Sequence, residues 1–70
     1  MDRVRVRSES LKSVGYDAMS NTLEVQFKNG RVFQYYMVPP FLYSRLLEAN
    51  AKGNFVENKV RYHYKFKRMN

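Results

Sequence analysis

Near the end of the chain Lys59, Arg61, Lys65, Lys67 and Arg68 alternate with Tyr62, Tyr64 and Phe66, and His63 sits among them. Cations neutralise phosphates and rings stack on bases, so this composition suits a single-stranded polyanion. If all five cations touched phosphates, affinity would fall with salt at a log–log slope of about −0.7 per contact, or about −3.5 in total. The bland alternative is that the rings pack into the core and the cations form a solvated tail. Tyr36, grouped by strand alternation with Gln26, Lys28 and Gln34, is a second candidate for base stacking. It equally suits filling the space above Gly15 or a dimer interface.

Catalytic chemistry does not assemble from these residue types. His63 is the sole histidine and has no carboxylate near it in sequence, while Asp17 and Glu57 have no evident partner. No phosphate-cradling glycine loop or nucleophile motif is present. With no cysteine, disulfides and thiolate metal sites are excluded, and the core must rest on apolar packing that the six Tyr and five Phe supply in large units. The chain is expected to be noncatalytic, without metal, cofactor or small-molecule substrate.

Charge is collected at the two ends. Between residues 8 and 58, Lys12, Lys28, Arg31, Arg45 and Lys52 balance Glu9, Asp17, Glu24, Glu48 and Glu57, so the net charge of +7 comes from Arg3, Arg5, Arg7 and the C-terminal tract, less Asp2. A fold is served by interspersed signs, whereas a single-sign cluster draws in polyanions. For Arg3-Val4-Arg5-Val6-Arg7 an edge strand or frayed arm protected by charge is the plainer reading. Seventy residues allow one domain with one small core. No apolar run has the length of a signal-peptide core or membrane span, so a cytoplasmic protein without a membrane partner is expected. Residues 1–7 and 66–70 are where disorder is expected.

The elements that must position these residues begin with Leu23, Val25 and Phe27, which alternate with Glu24, Gln26 and Lys28 before Asn29-Gly30. This predicts a strand entering a hairpin turn. A two-residue loop would put Val32, Gln34 and Tyr36 on the face of Leu23; a three-residue loop with Gly30 in the left-handed region would put Arg31, Phe33, Tyr35 and Met37 there. The second register gathers more apolar groups and is preferred. Upstream, Val14 and Tyr16 alternate with Ser13, Gly15 and Asp17, completing a three-stranded antiparallel meander. Gly15 suggests a bulge or a close ring contact.

Pro39-Pro40 ends the sheet and opens a helix whose stripe is Leu42, Leu46 and Ala49, with Tyr43, Leu47 and Asn50 beside it. Gly53 is placed to stop it as a left-handed cap, and Asn54-Phe55-Val56-Glu57 has the form of a capping box. A short helix from Phe55 to about Tyr62 would bury Val56 and Val60. A fourth strand is the rival, since Val60, Tyr62, Tyr64 and Phe66 also alternate with charge. Phe33, Tyr35, Tyr16, Leu42, Leu46 and Leu47 are assigned to the core.

The ordered series Val6-Arg7-Ser8, Leu11-Lys12-Ser13-Val14-Gly15-Tyr16-Asp17 and Leu23-Glu24-Val25-Gln26-Phe27 before Asn29-Gly30 resembles the KTSC domain family. The likeness continues through Phe33-Gln34-Tyr35, Val38-Pro39, Tyr43, Leu46-Leu47, Ala49, Gly53, Phe55-Val56 and the tract from Tyr62 to Arg68, so that it spans roughly Val6 to Arg68. Phe33 stands where the family has the first of two central tyrosines, which keeps the ring and loses a hydroxyl; Glu57 stands where Asn or His is expected. The resemblance implies a small bacterial or phage domain, found alone or at the C-terminus of some lysyl-tRNA synthetases, and through that association an RNA partner. The expectation is an α+β domain that binds RNA or single-stranded nucleic acid, with Lys59, Arg61, Lys65, Lys67 and Arg68 on phosphates and Tyr62, Tyr64 or Tyr36 stacking. The alternative is a protein-interaction or homodimerisation module of phage or prophage origin.

Overall fold

The computed structural model describes residues 1–70. The expected meander is present as β2 (Leu11–Asp17), β3 (Thr22–Phe27) and β4 (Val32–Tyr35). The β3–β4 hairpin has the three-residue loop: the Phe27 amide donates to the Arg31 carbonyl at 2.9 Å, and Gly30 has φ +93°. Leu23 therefore opposes Tyr35 and Val25 opposes Phe33, all on one face. Met37 leaves that face. The chain turns out of the sheet there with φ 59°, so Met37 is 75% exposed and Val38 is buried in its place.

The sheet has five strands rather than three. β1 (Arg3–Arg5) pairs antiparallel with β2, and β5 (Phe66–Arg68) pairs antiparallel with β4, giving the order β1-β2-β3-β4-β5. Both outer strands are three residues long with every residue exposed, so backbone pairing does most to hold them, helped in β5 by the Phe66 ring against Phe33 and Tyr35. Residues 66–68, placed by sequence in a disordered end, are thus the sheet's second edge.

Strand parity alone would put Leu11 and Val14 on opposite faces, yet both are fully buried. A register shift between Leu11 and Ser13 in the pairing with β3 inserts the extra residue that brings both to the core. Gly15 follows a regular register, and what approaches it is backbone rather than a ring. A Cβ there would stand 2.6 Å from the Asp2 carbonyl oxygen.

α1 (Pro40–Glu48) begins with Pro40 in its first turn, where a missing N–H costs nothing, and buries Leu42 and Leu46. Leu47, assigned by sequence to the core, is 39% exposed. Tyr16 of β2 stacks on Tyr43 of α1 at 5.2 Å between ring centroids, and the Tyr16 hydroxyl donates to the Val38 carbonyl. α1 ends at Ala49 in extended conformation, four residues before Gly53, and Lys52 Nζ donates to the Ala49 carbonyl at 2.8 Å. Gly53 is not a left-handed cap. It lies inside α2 (Lys52–Phe55), where a Cβ would press on Ser10 Oγ. Asn54 and Glu57 make no capping box either, because the helix has already begun at Lys52.

α2 continues without a break into a π-helical turn over Val56–Val60, closed by the Arg61 amide donating to the Val56 carbonyl at 2.9 Å. The helical reading of this region holds, with Val56 and Val60 buried as expected. The strand reading applies only from Phe66. One core results: Val14, Leu23, Val25 and Tyr35 of the sheet against Leu42, Leu46, Val56 and Val60 of the helices. No helix is long and apolar enough to cross a membrane.

Candidate nucleic-acid interface

The basic tract runs from the end of the π-helical turn, through Arg61–Tyr64, into β5 along the sheet edge. Val60 anchors it in the core, and its carbonyl accepts the amides of His63 at 3.1 Å and Tyr64 at 3.2 Å. Lys59, Arg61, Lys65, Lys67 and Arg68 are all exposed. The proposed stacking rings differ in their freedom. Tyr62 is 75% exposed, with the Arg61 guanidinium 5.3 Å from its ring centroid, whereas Tyr64 is half-buried against the core. Tyr36 is also half-buried; its hydroxyl donates to Gln34 Oε1 at 3.3 Å and its amide to the Lys65 carbonyl at 2.9 Å.

The register of β5 divides these residues between two faces. Lys67 opposes Gln34, and the Tyr36–Lys65 bond continues the ladder, so Tyr36, Lys65 and Lys67 share the face away from the helices. Phe66 opposes Tyr35 and Arg68 opposes Phe33, which puts them on the helix side. The tract is therefore not one flat platform. A strand touching all of it would pass around the β5 edge.

On the face away from the helices one rung crosses all five strands: Arg3, Gly15, Glu24, Gln34 and Lys67. Arg3 Nε lies 3.4 Å from Glu24 Oε2, and Gln34 Nε2 donates to Glu24 Oε1 at 2.9 Å. Glu24 thus neutralises Arg3 and leaves Lys67 without an acidic partner.

On the helix side the edge opens into a groove of about 220 Å³. Phe27, Phe33, Tyr35 and Phe66 line its sheet wall, Glu57 and Arg61 its helical wall, and Asn29 and Arg31 its hairpin end. The ring of Phe33 meets Phe27 edge-on at 5.8 Å and Phe66 edge-on at 5.9 Å. Tyr35 is 3% exposed, and burial raises its pKa above the ordinary tyrosine range, with Arg61 pulling it down and Glu57 pushing it up. Arg61 bonds Glu57 Oε1 at 2.6 Å, which holds its own pKa above the usual arginine value. Phe27, Asn29, Arg31 and Glu57 lie outside the tract that composition singles out. Their convergence depends on the β4–β5 pairing and the π-helical turn, although the shared parity of Arg31, Phe33 and Tyr35 places Arg31 on this face.

A small antiparallel sheet, covered on one face by helices from the single connection between its last two strands and edged by a basic strand, defines a class of α+β domain that has relatives of known structure. Residues 7–64 match the model of the KTSC domain, and the chain belongs to that family. It is 39% identical over 70 residues to an uncharacterised protein of Stutzerimonas stutzeri strain A1501, covering 99% of each chain. It is 29% identical over 59 residues to a lysine–tRNA ligase of Nostoc punctiforme, a match that takes in 84% of this chain and 10% of the ligase. The crystal structure of a KTSC domain protein from Yersinia pestis, 28% identical, superposes with a TM-score of 0.91 over 99% of this chain and 97% of that one.

Proposed function

We propose that this protein is a noncatalytic binder of RNA or single-stranded nucleic acid that works along its β5 edge, in the cytoplasm. The observation that carries the reading is the uncompensated charge there: of Lys59, Arg61, Lys65, Lys67 and Arg68, only Arg61 has an acidic partner. Exposed Tyr62 and Phe66 stand among these cations, which combines phosphate neutralisation with ring faces for bases. The similarity to part of a lysine–tRNA ligase, an enzyme that acts on tRNA, supports the same partner class.

The alternative is a homodimer or protein-interaction module, favoured by two unpaired strand edges with Val4 and Phe66 exposed. Against edge-to-edge pairing, the same strands carry Arg3, Arg5, Lys67 and Arg68, and charge on an edge strand opposes such contacts. Titration of isotope-labelled protein with a short mixed-sequence RNA at low and moderate salt separates the two. Salt-sensitive amide shifts over residues 59–68 and Tyr36 are expected. An unchanged spectrum at high RNA concentration moves the search to protein partners.

A further inference from the structure

Three features of the aromatic groove bear on what it can hold. Arg31 and Arg68 have no acidic partner, and both stand on the helix-side face beside Phe33, Arg68 as its register partner and Arg31 two residues before it. Diagonal neighbours in a sheet are about 7–8 Å apart at the backbone, within reach of long side chains, so both guanidiniums can meet one anion. Phe33 and Phe66 meet edge-on and Phe66 remains 51% exposed, which leaves ring surface open at the groove mouth. At the wall, the π-helical turn brings Glu57 and Arg61 over the buried Tyr35. Single π turns inside helices are often found at functional sites.

The dimensions restrict the occupant. A groove of about 220 Å³ lies below the roughly 300–1,000 Å³ of sites that enclose a whole drug-sized ligand, and admits one planar ring system. Its walls are aromatic, and the Arg31 and Arg61 guanidiniums of its lining, with Arg68 on the same face at the register position of Phe33, outnumber the Glu57 carboxylate and favour an anionic ligand. We infer that this groove receives a single unstacked nucleobase of the bound strand, among Phe27, Phe33, Tyr35 and Phe66, with the adjoining phosphate held between Arg31 and Arg68. The inference rests on the nucleic-acid reading above and adds to it a specific subsite. It also adds a base preference. Glu57 offers only acceptors, and with Oε1 engaged by Arg61 its Oε2 suits the exocyclic amino group of cytosine, where uracil presents a carbonyl that a carboxylate repels, so cytosine is favoured.

The test is fluorescence anisotropy with labelled hexacytidylate and hexauridylate at low salt, using the whole chain and the variants F66L and R31Q. Leu keeps apolar bulk at the edge, and Arg31 is an exposed hairpin residue, so an amide spectrum matching the parent verifies folding of both. Hexacytidylate is expected to bind more tightly than hexauridylate, and F66L to lose about tenfold in affinity, within the range for removing one base stack. R31Q is expected to weaken both oligomers alike, since a phosphate contact carries no base information. If F66L and R31Q bind as the parent does while K65A/K67A weakens, the groove is not the subsite and the nucleic-acid reading stands. If the parent chain binds neither oligomer, both readings fall.

Discussion

Arg3 lies across Gly15: its Cγ is 3.1 Å from the position a Cβ would take on that glycine, and its guanidinium continues to Glu24 on the next strand. The missing side chain lets β1 come close and lets an arginine reach over β2. The Gly15→Ala variant places a methyl group 2.6 Å from the Asp2 carbonyl oxygen, a backbone atom that moves only if β1 moves. Stability is expected to fall by about 1–3 kcal/mol, the usual scale for a steric change in a packed element. Amide exchange should lose protection at residues 3–5 while β5 keeps its own, and RNA affinity should stay at the parent value. Retained protection at Arg3–Arg5 would contradict this account of the β1 edge.

Gly30 supplies a different kind of test, because nothing lies within 4 Å of a Cβ built on it. Only its φ of +93° resists substitution. Gly30→Ala is expected to lower stability by about 1 kcal/mol and Gly30→Asn by less, since asparagine tolerates positive φ better than alanine does. Urea unfolding of the two variants checks the order. Equal losses would mean that the hairpin loop relaxes to another conformation.

The middle of the sheet was legible because alternation in Leu23–Phe27 and the count of apolar groups in each register both select the three-residue loop. The edges were not. Arg3–Arg5 and Phe66–Arg68 are short and exposed on both faces, so they carry no burial pattern and are held by ladder bonds to neighbours whose own edges must already exist. Gly53 and the Asn54-to-Glu57 spacing misled for a related reason: glycine serves close approach as well as caps, and here it admits Ser10 inside a helix already under way. For the candidate interface, composition identified the cations and rings of residues 59–68. The hairpin register already put Arg31 on the helix-side face, but composition did not reveal that β5 sorts the tract onto two faces, nor that Glu57 joins Arg31 on one of them, because both facts come from long-range pairing.

Three tyrosines, Tyr35 buried and Tyr16 and Tyr43 half-buried, set an alkaline limit to stability. Tyr16, Tyr35 and Tyr43 all hold their protons above the ordinary value of 10.0, with burial the first cause in each and Asp17 adding to it at Tyr16. Above pH 10 the unfolded chain releases these protons before the folded chain does, so the folded state binds more of them and loses stability as pH rises. Their contribution is complete below pH 10 and disappears as pH passes through the raised values. Asp17 acts at the other end. Bonds from the Ser20 hydroxyl and the Met19 amide lower its pKa from 3.8, so its contribution is present above that value and is lost as pH falls through the lowered one. Denaturant midpoints are expected to stay level between about pH 5 and 9, and Tyr43→Phe should make the alkaline fall shallower. An unchanged alkaline slope in that variant would show that Tyr43 is not held in its neutral form.

Glu57 is the one acid that touches the basic tract, and it occupies the Arg61 guanidinium at 2.6 Å on the groove wall. Any phosphate that approaches Arg61 must compete with it. Glu57→Gln keeps the size of the side chain and removes the charge, so Arg61 becomes available to the bound strand. Affinity for a short RNA at low salt is expected to rise, and the log–log salt dependence to steepen by about 0.7, the increment for one added single-strand phosphate contact. The amide of glutamine also donates, so the preference for an amino-bearing base should weaken in the same variant. The two effects are read in one experiment, anisotropy titrations of hexacytidylate and hexauridylate at several salt concentrations. A steeper slope with unchanged base preference would assign Arg61 to phosphate and remove Glu57 from base recognition. An unchanged slope would place Arg61 outside the interface and leave Lys59, Lys65, Lys67 and Arg68 to account for the charge-dependent binding.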